Sequence, residues 1–111
     1  MPIDVRVDRS SGDGAALVAV SGELDLSTAP ELERFLVELQ RDDAGVVLDL
    51  RQLTFMDSSG LRVILGADAR ARSSGSRLVL VRGAPTVHRV FELTLLDRRL
   101  EFVGDPSEAV W

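Results

Sequence analysis

Thr54-Phe55-Met56-Asp57-Ser58-Ser59-Gly60-Leu61-Arg62-Val63-Ile64-Leu65-Gly66 decides the reading of this chain, because a buried strand runs into it and an amphipathic helix leaves it. Just ahead, Val46-Val47-Leu48-Asp49-Leu50 is too continuously apolar for a strand with one wet face, which predicts a central strand parallel to a neighbour. A short connection follows, and the chain turns at Asp57-Ser58-Ser59-Gly60 into a helical pattern predicted from about Ser58 to Arg72. In that helix Leu61, Ile64 and Leu65 face inward, Gly66, Ala67 and Ala69 permit close approach, and Arg62, Arg70 and Arg72 face solvent.

Chemistry belongs at such a turn. The first N–H groups of a helix lack intrahelical partners and its N-terminus carries partial positive charge, so it favours a hydroxyl, a carboxylate or a phosphate. Asp57, Ser58 and Ser59 all suit that place. A single N-cap, the commonest reason for Asp or Ser there, contributes about 1 kcal/mol and needs only one of them. The surplus hydroxyls point to one that is open to solvent and to another protein.

Working outward, Ile3, Val5 and Val7 alternate with Asp4, Arg6 and Asp8, which predicts a half-buried edge strand. After the turn Ser10-Ser11-Gly12-Asp13-Gly14, Leu17-Val18-Ala19-Val20 resumes a strand that closes a hairpin and ends at Ser21-Gly22. Thr28 and Glu31 have capping-box spacing, with Pro30 in the first turn, so a helix starts there. Leu32, Phe35, Leu36 and Leu39 form its apolar stripe, Glu33, Arg34, Glu38 and Arg41 face solvent, and Gly45 terminates it after Asp42-Asp43-Ala44. A helix crossing between two apolar strands implies an α/β arrangement with right-handed connections.

Downstream of the serine helix, Ser73-Ser74-Gly75-Ser76 reads as a turn and Leu78-Val79-Leu80-Val81 as another apolar strand. Gly83-Ala84-Pro85-Thr86 introduces a short helix with Val87, Val90 and Phe91 buried. Phe102-Val103 is a last short strand, and a terminal helix runs from Asp105-Pro106 towards Trp111. The expectation is one domain over residues 1–111, a mixed sheet of four or five strands with helices packed largely on one side.

Composition narrows the function classes. The formal net charge is −5, and no basic run or aromatic-interleaved basic face occurs, which argues against a direct nucleic-acid partner. The absence of cysteine removes disulfides and thiolate chemistry, and a single histidine, His88, removes a multi-histidine metal site. No metal and no cofactor is expected. The N-terminus lacks a basic segment followed by an apolar one and no run approaches a membrane span, so the cytoplasm is the default expectation, with no membrane partner. All 13 basic residues are Arg, a bias associated with a GC-rich genome and not with chemistry.

Phe55-Met56-Asp57-Ser58-Ser59-Gly60-Leu61, with Val46–Leu50 before it and Val63-Ile64-Leu65 after it, resembles an anti-sigma factor antagonist of the STAS domain family. Gly22-Glu23-Leu24-Asp25, Leu78–Val81 and Val87-His88-Arg89-Val90-Phe91-Glu92-Leu93 also fall where that family has counterparts, so the resemblance covers nearly the whole chain. It implies that Ser58 is phosphorylated by a partner that is both an anti-sigma factor and an ATP-dependent serine kinase. The unmodified form would bind that partner and free a sigma factor, and a serine phosphatase would reset the switch. A phosphate adds about −1.5 to −2 charges, which a helix N-terminus accommodates, whereas an interface fitted to a neutral hydroxyl does not.

The remaining candidates are weighed one by one. Asp57 is open to three roles: helix cap, acceptor for an Arg of the partner, or positioner of the Ser58 hydroxyl for phosphoryl transfer. Ser59 reads as structural. Gly60 serves either a close approach by a partner or a strand-to-helix junction without room for a side chain. In the related antagonists the Asp25 loop lies near the serine helix and its Asp pairs with a basic residue of the kinase; a solvated carboxylate or a remote cap is the equal alternative. Arg62 projects from the docking face towards acidic or nucleotide-bearing groups of the partner. Asp25, Asp57, Ser58, Ser59, Gly60 and Arg62 are thus the expected partner-binding residues.

Asp49 is expected to tie down a neighbouring loop, and His88 to lie at a helix surface without chemistry. One departure from the family pattern is Thr94-Leu95-Leu96-Asp97, where members commonly carry a Gly. A left-handed turn there would place Leu95 in it at roughly 1 kcal/mol or more, so the helix is expected to end differently. Catalysis by Ser58 lacks an adjacent base and a Gly-x-Ser-x-Gly elbow. Nucleotide binding lacks a phosphate-cradling glycine loop. The other reading is a STAS scaffold of a stress-signalling complex or a soluble subunit of a membrane transporter.

Overall fold

The computed structural model describes residues 2–9, 15–42 and 45–109. The Ser10–Gly14 turn, Asp43-Ala44 and Trp111, which the sequence reading used, lie outside the described residues. Five strands and three α-helices follow in the order β1 (Ile3–Asp8), β2 (Ala15–Leu24), α1 (Ala29–Arg41), β3 (Gly45–Met56), α2 (Ser58–Ser74), β4 (Leu78–Val81), α3 (Pro85–Leu93) and β5 (Glu101–Val103). Short 3-10 turns occupy Leu96–Arg98 and Pro106–Glu108.

The strands lie side by side in chain order, β1 antiparallel to β2 and the rest parallel. Parallel neighbours need crossovers, and right-handed crossovers that always step the same way put α1, α2 and α3 on one face. The core forms there: Val18 and Val20 of β2 and Leu48 and Leu50 of β3 meet Leu36, Ile64 and Phe91 from the helices. On the alternate positions Val47, Asp49, Val79 and Val81 are buried as well, as central parallel strands require. The C-terminal ends of β2, β3 and β4 share one edge, so the Asp25 loop and the Asp57 junction emerge together. That edge is where open parallel sheets carry their sites.

Several local expectations change. β3 does not stop at Leu50 but runs to Met56, because it outreaches the four-residue β4 and keeps pairing with the ten-residue β2, Glu23 against Phe55 and Leu24 against Met56. β2 passes Ser21-Gly22 through two register shifts, with Gly22 at φ 100° and its Cβ position 2.7 Å from the Pro2 carbonyl. Gly45 opens β3 and does not end α1; Asp42 is the C-cap. Phe35 is exposed on α1, outside the buried stripe of Leu32, Leu36 and Leu39. Gly66 makes no close approach and Ala69 is exposed, while Arg70 is half-buried with its Nε donating to Gln40 Oε1 at 2.9 Å. α2 ends on Gly75, left-handed at φ 74°.

At the far end of the chain, His88 is buried, not on a helix surface, and its ring stands edge-on to Phe102 at 4.8 Å between centroids. Leu95 does take the left-handed turn, φ 62° and ψ 15°, against the expectation that the helix ends differently, and the strain falls on a leucine. The chain then turns into Leu96–Arg98. Asp49 ties down a neighbour through an intermediary. Its carboxylate takes Arg51 at 2.8 Å, and the same guanidinium reaches Asp105, 3.4 Å away, at the last 3-10 turn. The ion pair holds the Arg51 guanidinium above its ordinary pKa, chiefly through the hydrogen bond to Asp49.

Candidate functional site

The serine junction is built by two strand ends. Asp57 N–H donates to the Leu24 carbonyl at 3.2 Å, fastening the exit of β3 to the exit of β2. Asp57 itself is extended, φ −115° and ψ −168°, and its Oδ1 accepts from Ser59 N–H at 2.8 Å, which makes it the N-cap of α2. Gly60, one turn in, is buried; a Cβ there would lie 2.7 Å from Leu24 and 2.8 Å from Met56. Of the two readings of Gly60, this packing accounts for the missing side chain through the junction, with no partner required. Ser59 is half-buried.

Ser58 is exposed, and its hydroxyl takes no hydrogen bond among the described residues. Arg62 follows at i+4, exposed on the same face of α2, with no ion pair among the described residues. The cap, the buried glycine and the open hydroxyl therefore divide three jobs among three neighbours.

Asp25 turns the chain from β2 into α1. Its Oδ1 accepts from Ser27 N–H at 3.0 Å, Thr28 N–H at 3.1 Å and the Ser27 hydroxyl at 2.8 Å. The Ser27 hydroxyl bond is the largest cause holding the Asp25 carboxyl below its ordinary pKa. The expected capping box of Thr28 and Glu31 does not form, because the Thr28 hydroxyl points inward, donating to the Glu23 carbonyl at 2.7 Å and accepting from Asp25 N–H at 2.9 Å. Asp25 caps the turn in its place.

Two residues at this edge escaped the sequence reading. Leu26 is 79% exposed and Phe55 46% exposed, and they flank the Leu24–Asp57 bond, Leu26 two residues after Leu24 and Phe55 two before Asp57. Leucine inside the otherwise polar Asp25–Thr28 turn was the signal for the first. Phe55 carried none, since its exposure depends on how far β3 outreaches β4. The edge thus joins apolar area, a capped helix N-terminus, a free hydroxyl and a guanidinium, a combination suited to docking a protein.

A model described as Mlab, STAS domain, matches residues 7–104. The chain belongs to the STAS domain family. Among its relatives in that family, the anti-sigma-B factor antagonist of Listeria monocytogenes is 38% identical over 93 residues, covering 82% of this chain and 81% of that one. The anti-sigma F factor antagonist of Paenibacillus polymyxa is 32% identical over 115 residues, covering 97% and 94%. A crystal structure of an anti-sigma factor antagonist from Mycobacterium paratuberculosis superimposes with a TM-score of 0.82 at 28% identity, covering 96% of this chain and 89% of that chain. The five-stranded mixed sheet with three helices is the architecture of a single STAS domain.

Proposed function

We propose that this STAS domain is an anti-sigma factor antagonist that binds an anti-sigma factor through the edge formed by the Asp25 loop and the start of α2. The relatives' names support the class. The observation that carries the mechanism is the division of labour at the turn: Asp57 caps α2, so Ser58 is free of that duty and exposed. The partner is a serine kinase that uses ATP to phosphorylate Ser58. Leu26 and Phe55 supply apolar contact, Arg62 meets acidic groups, and Asp25 offers a carboxylate already ionised at neutral pH to a basic residue of the partner.

A phosphate on Ser58 sits over the helix N-terminus and within one turn of Arg62, so the domain stays folded. The same dianion would stand beside Asp57 in an interface fitted to a hydroxyl, and affinity falls without a conformational change. The protein acts stoichiometrically, as a binding protein and not as an enzyme; Ser58 has no histidine bonded to it, the single imidazole being buried edge-on against Phe102. A serine phosphatase restores the binding form, and the exchange takes place in the cytoplasm.

The test is a paired pull-down from native lysate with wild type and Ser58→Asp, and an intact mass of the endogenous protein. Wild type should retain a soluble ATP-dependent kinase, Ser58→Asp should lose it, and the endogenous protein should carry one phosphate at Ser58. Equal retention by both, with no phosphate, would sink the switch and favour a scaffold or transporter-subunit role.

A further inference from the structure

His88 and Glu92 are one turn apart on α3 and therefore share a face. The left-handed Leu95 folds the chain back, and the 3-10 turn that follows delivers Asp97 to the same place. An imidazole nitrogen of His88 and a carboxylate oxygen from each of Glu92 and Asp97 lie within 4.8 Å of one another. His88 is only 7% exposed, and its Nδ1 is buried without a hydrogen-bond partner. Asp97 Oδ1 is in the same condition. Buried polar atoms are almost always paired, so an orphan on each of two residues of one cluster calls for a partner.

We infer that His88, Glu92 and Asp97 form a binding site for a divalent transition-metal ion, Zn2+ foremost, that staples the end of α3 to the turn before β5. One imidazole and two carboxylates are ordinary zinc donors, and three protein ligands leave a fourth position for water. The imidazole turns the choice away from Mg2+ and Ca2+, which prefer all-oxygen shells. The ring is already oriented, set at 89° to Phe102 and 37° to Phe91, so binding fixes little that is loose. Glu92 is exposed and provides the route in from solvent. The ligand atoms need to close by a few tenths of an ångström to an ångström around the ion, a shift within reach of the exposed Glu92 side chain. α3 leads away from the edge that holds Ser58, so the ion would steady the domain without entering the docking surface.

The test uses the untagged full chain, stripped with a chelator and returned to metal-free buffer. Native mass spectrometry and thermal unfolding are then recorded with added ZnCl2, with MgCl2 as the comparison. One zinc per chain and a raised Tm are expected with ZnCl2, and neither with MgCl2. Glu92→Gln and Asp97→Asn should each lose the adduct and the Tm rise, while Glu38→Gln on α1 keeps both. Those two variants carry the test because His88→Gln, buried, can fail to fold for packing reasons alone. Absence of a one-to-one adduct in the wild type, or an adduct that survives in both Glu92→Gln and Asp97→Asn, overturns the site.

Discussion

The edge around Ser58 and the corner around His88 use similar residue types in opposite ways. At the edge the buried Thr28 hydroxyl donates to Glu23, Asp57 accepts from Ser59 N–H and Asp25 from Ser27 and Thr28, and the uncommitted Ser58 hydroxyl faces solvent. At the corner the uncommitted atoms, His88 Nδ1 and Asp97 Oδ1, are buried, and the turn between them is held in a left-handed leucine. A free polar group in water is available to a partner at no standing cost. A free polar group inside is a demand for a ligand or a proton.

Six substitutions probe that contrast, the largest effect first. Leu24→Ala removes a fully buried side chain beneath Gly60 and should lower stability by about 2–5 kcal/mol in urea unfolding; a loss under 1 kcal/mol would mean the edge is not anchored by its core. Gly60→Ala forces a methyl to within 2.7 Å of Leu24 and should lower stability by about 1–3 kcal/mol. If that variant is as stable as wild type, the junction is looser than the geometry says. Asp57→Ala should lower stability by about 1 kcal/mol while Ser58→Ala changes it by less than about 0.5, measured side by side. Equal losses would make Ser58 a cap after all and erase the division of labour at the turn.

Leu95→Gly relieves the left-handed turn, and the gain, set against the greater freedom of glycine in the unfolded chain, should be under about 1 kcal/mol and positive. A loss would show that Leu95 earns its place by contacts. The smallest effect concerns pH. The folded-state pKa of Asp25 is depressed, so its contribution is present at neutral pH and is lost as pH falls through that depressed value. Asp25→Asn should therefore flatten the acid limb of the stability curve, below the ordinary carboxylate range; an unchanged slope would mean the turn is held by its backbone bonds alone.

Much of this was legible along the chain. Alternation located β1, continuous apolar runs located β3 and β4, and period-3.6 stripes located the helices, since each pattern reports which faces a local segment must bury. Cap-type residues in a row located the serine junction, because only a helix N-terminus rewards them. Capping was already among the roles the sequence offered for Asp57, and the structure gives it that role, its Oδ1 accepting from Ser59 N–H. Thr28 was misread: its spacing to Glu31 is that of a capping box, but a carbonyl of β2 competes for the hydroxyl and wins.

The sequence by itself determined the order of elements, the parallel central sheet and the serine at a strand-to-helix junction, because these rest on propensities and periodicities that act over a few residues. Only the tertiary structure decided that Leu24 meets Asp57, that Leu26 and Phe55 stand exposed on either side of that bond, and that His88 and Asp97 face each other with their polar atoms buried. Those outcomes depend on how far one strand outreaches its neighbour and on where a folded-back turn lands. Both are set by packing between segments distant in the chain, which no local pattern encodes.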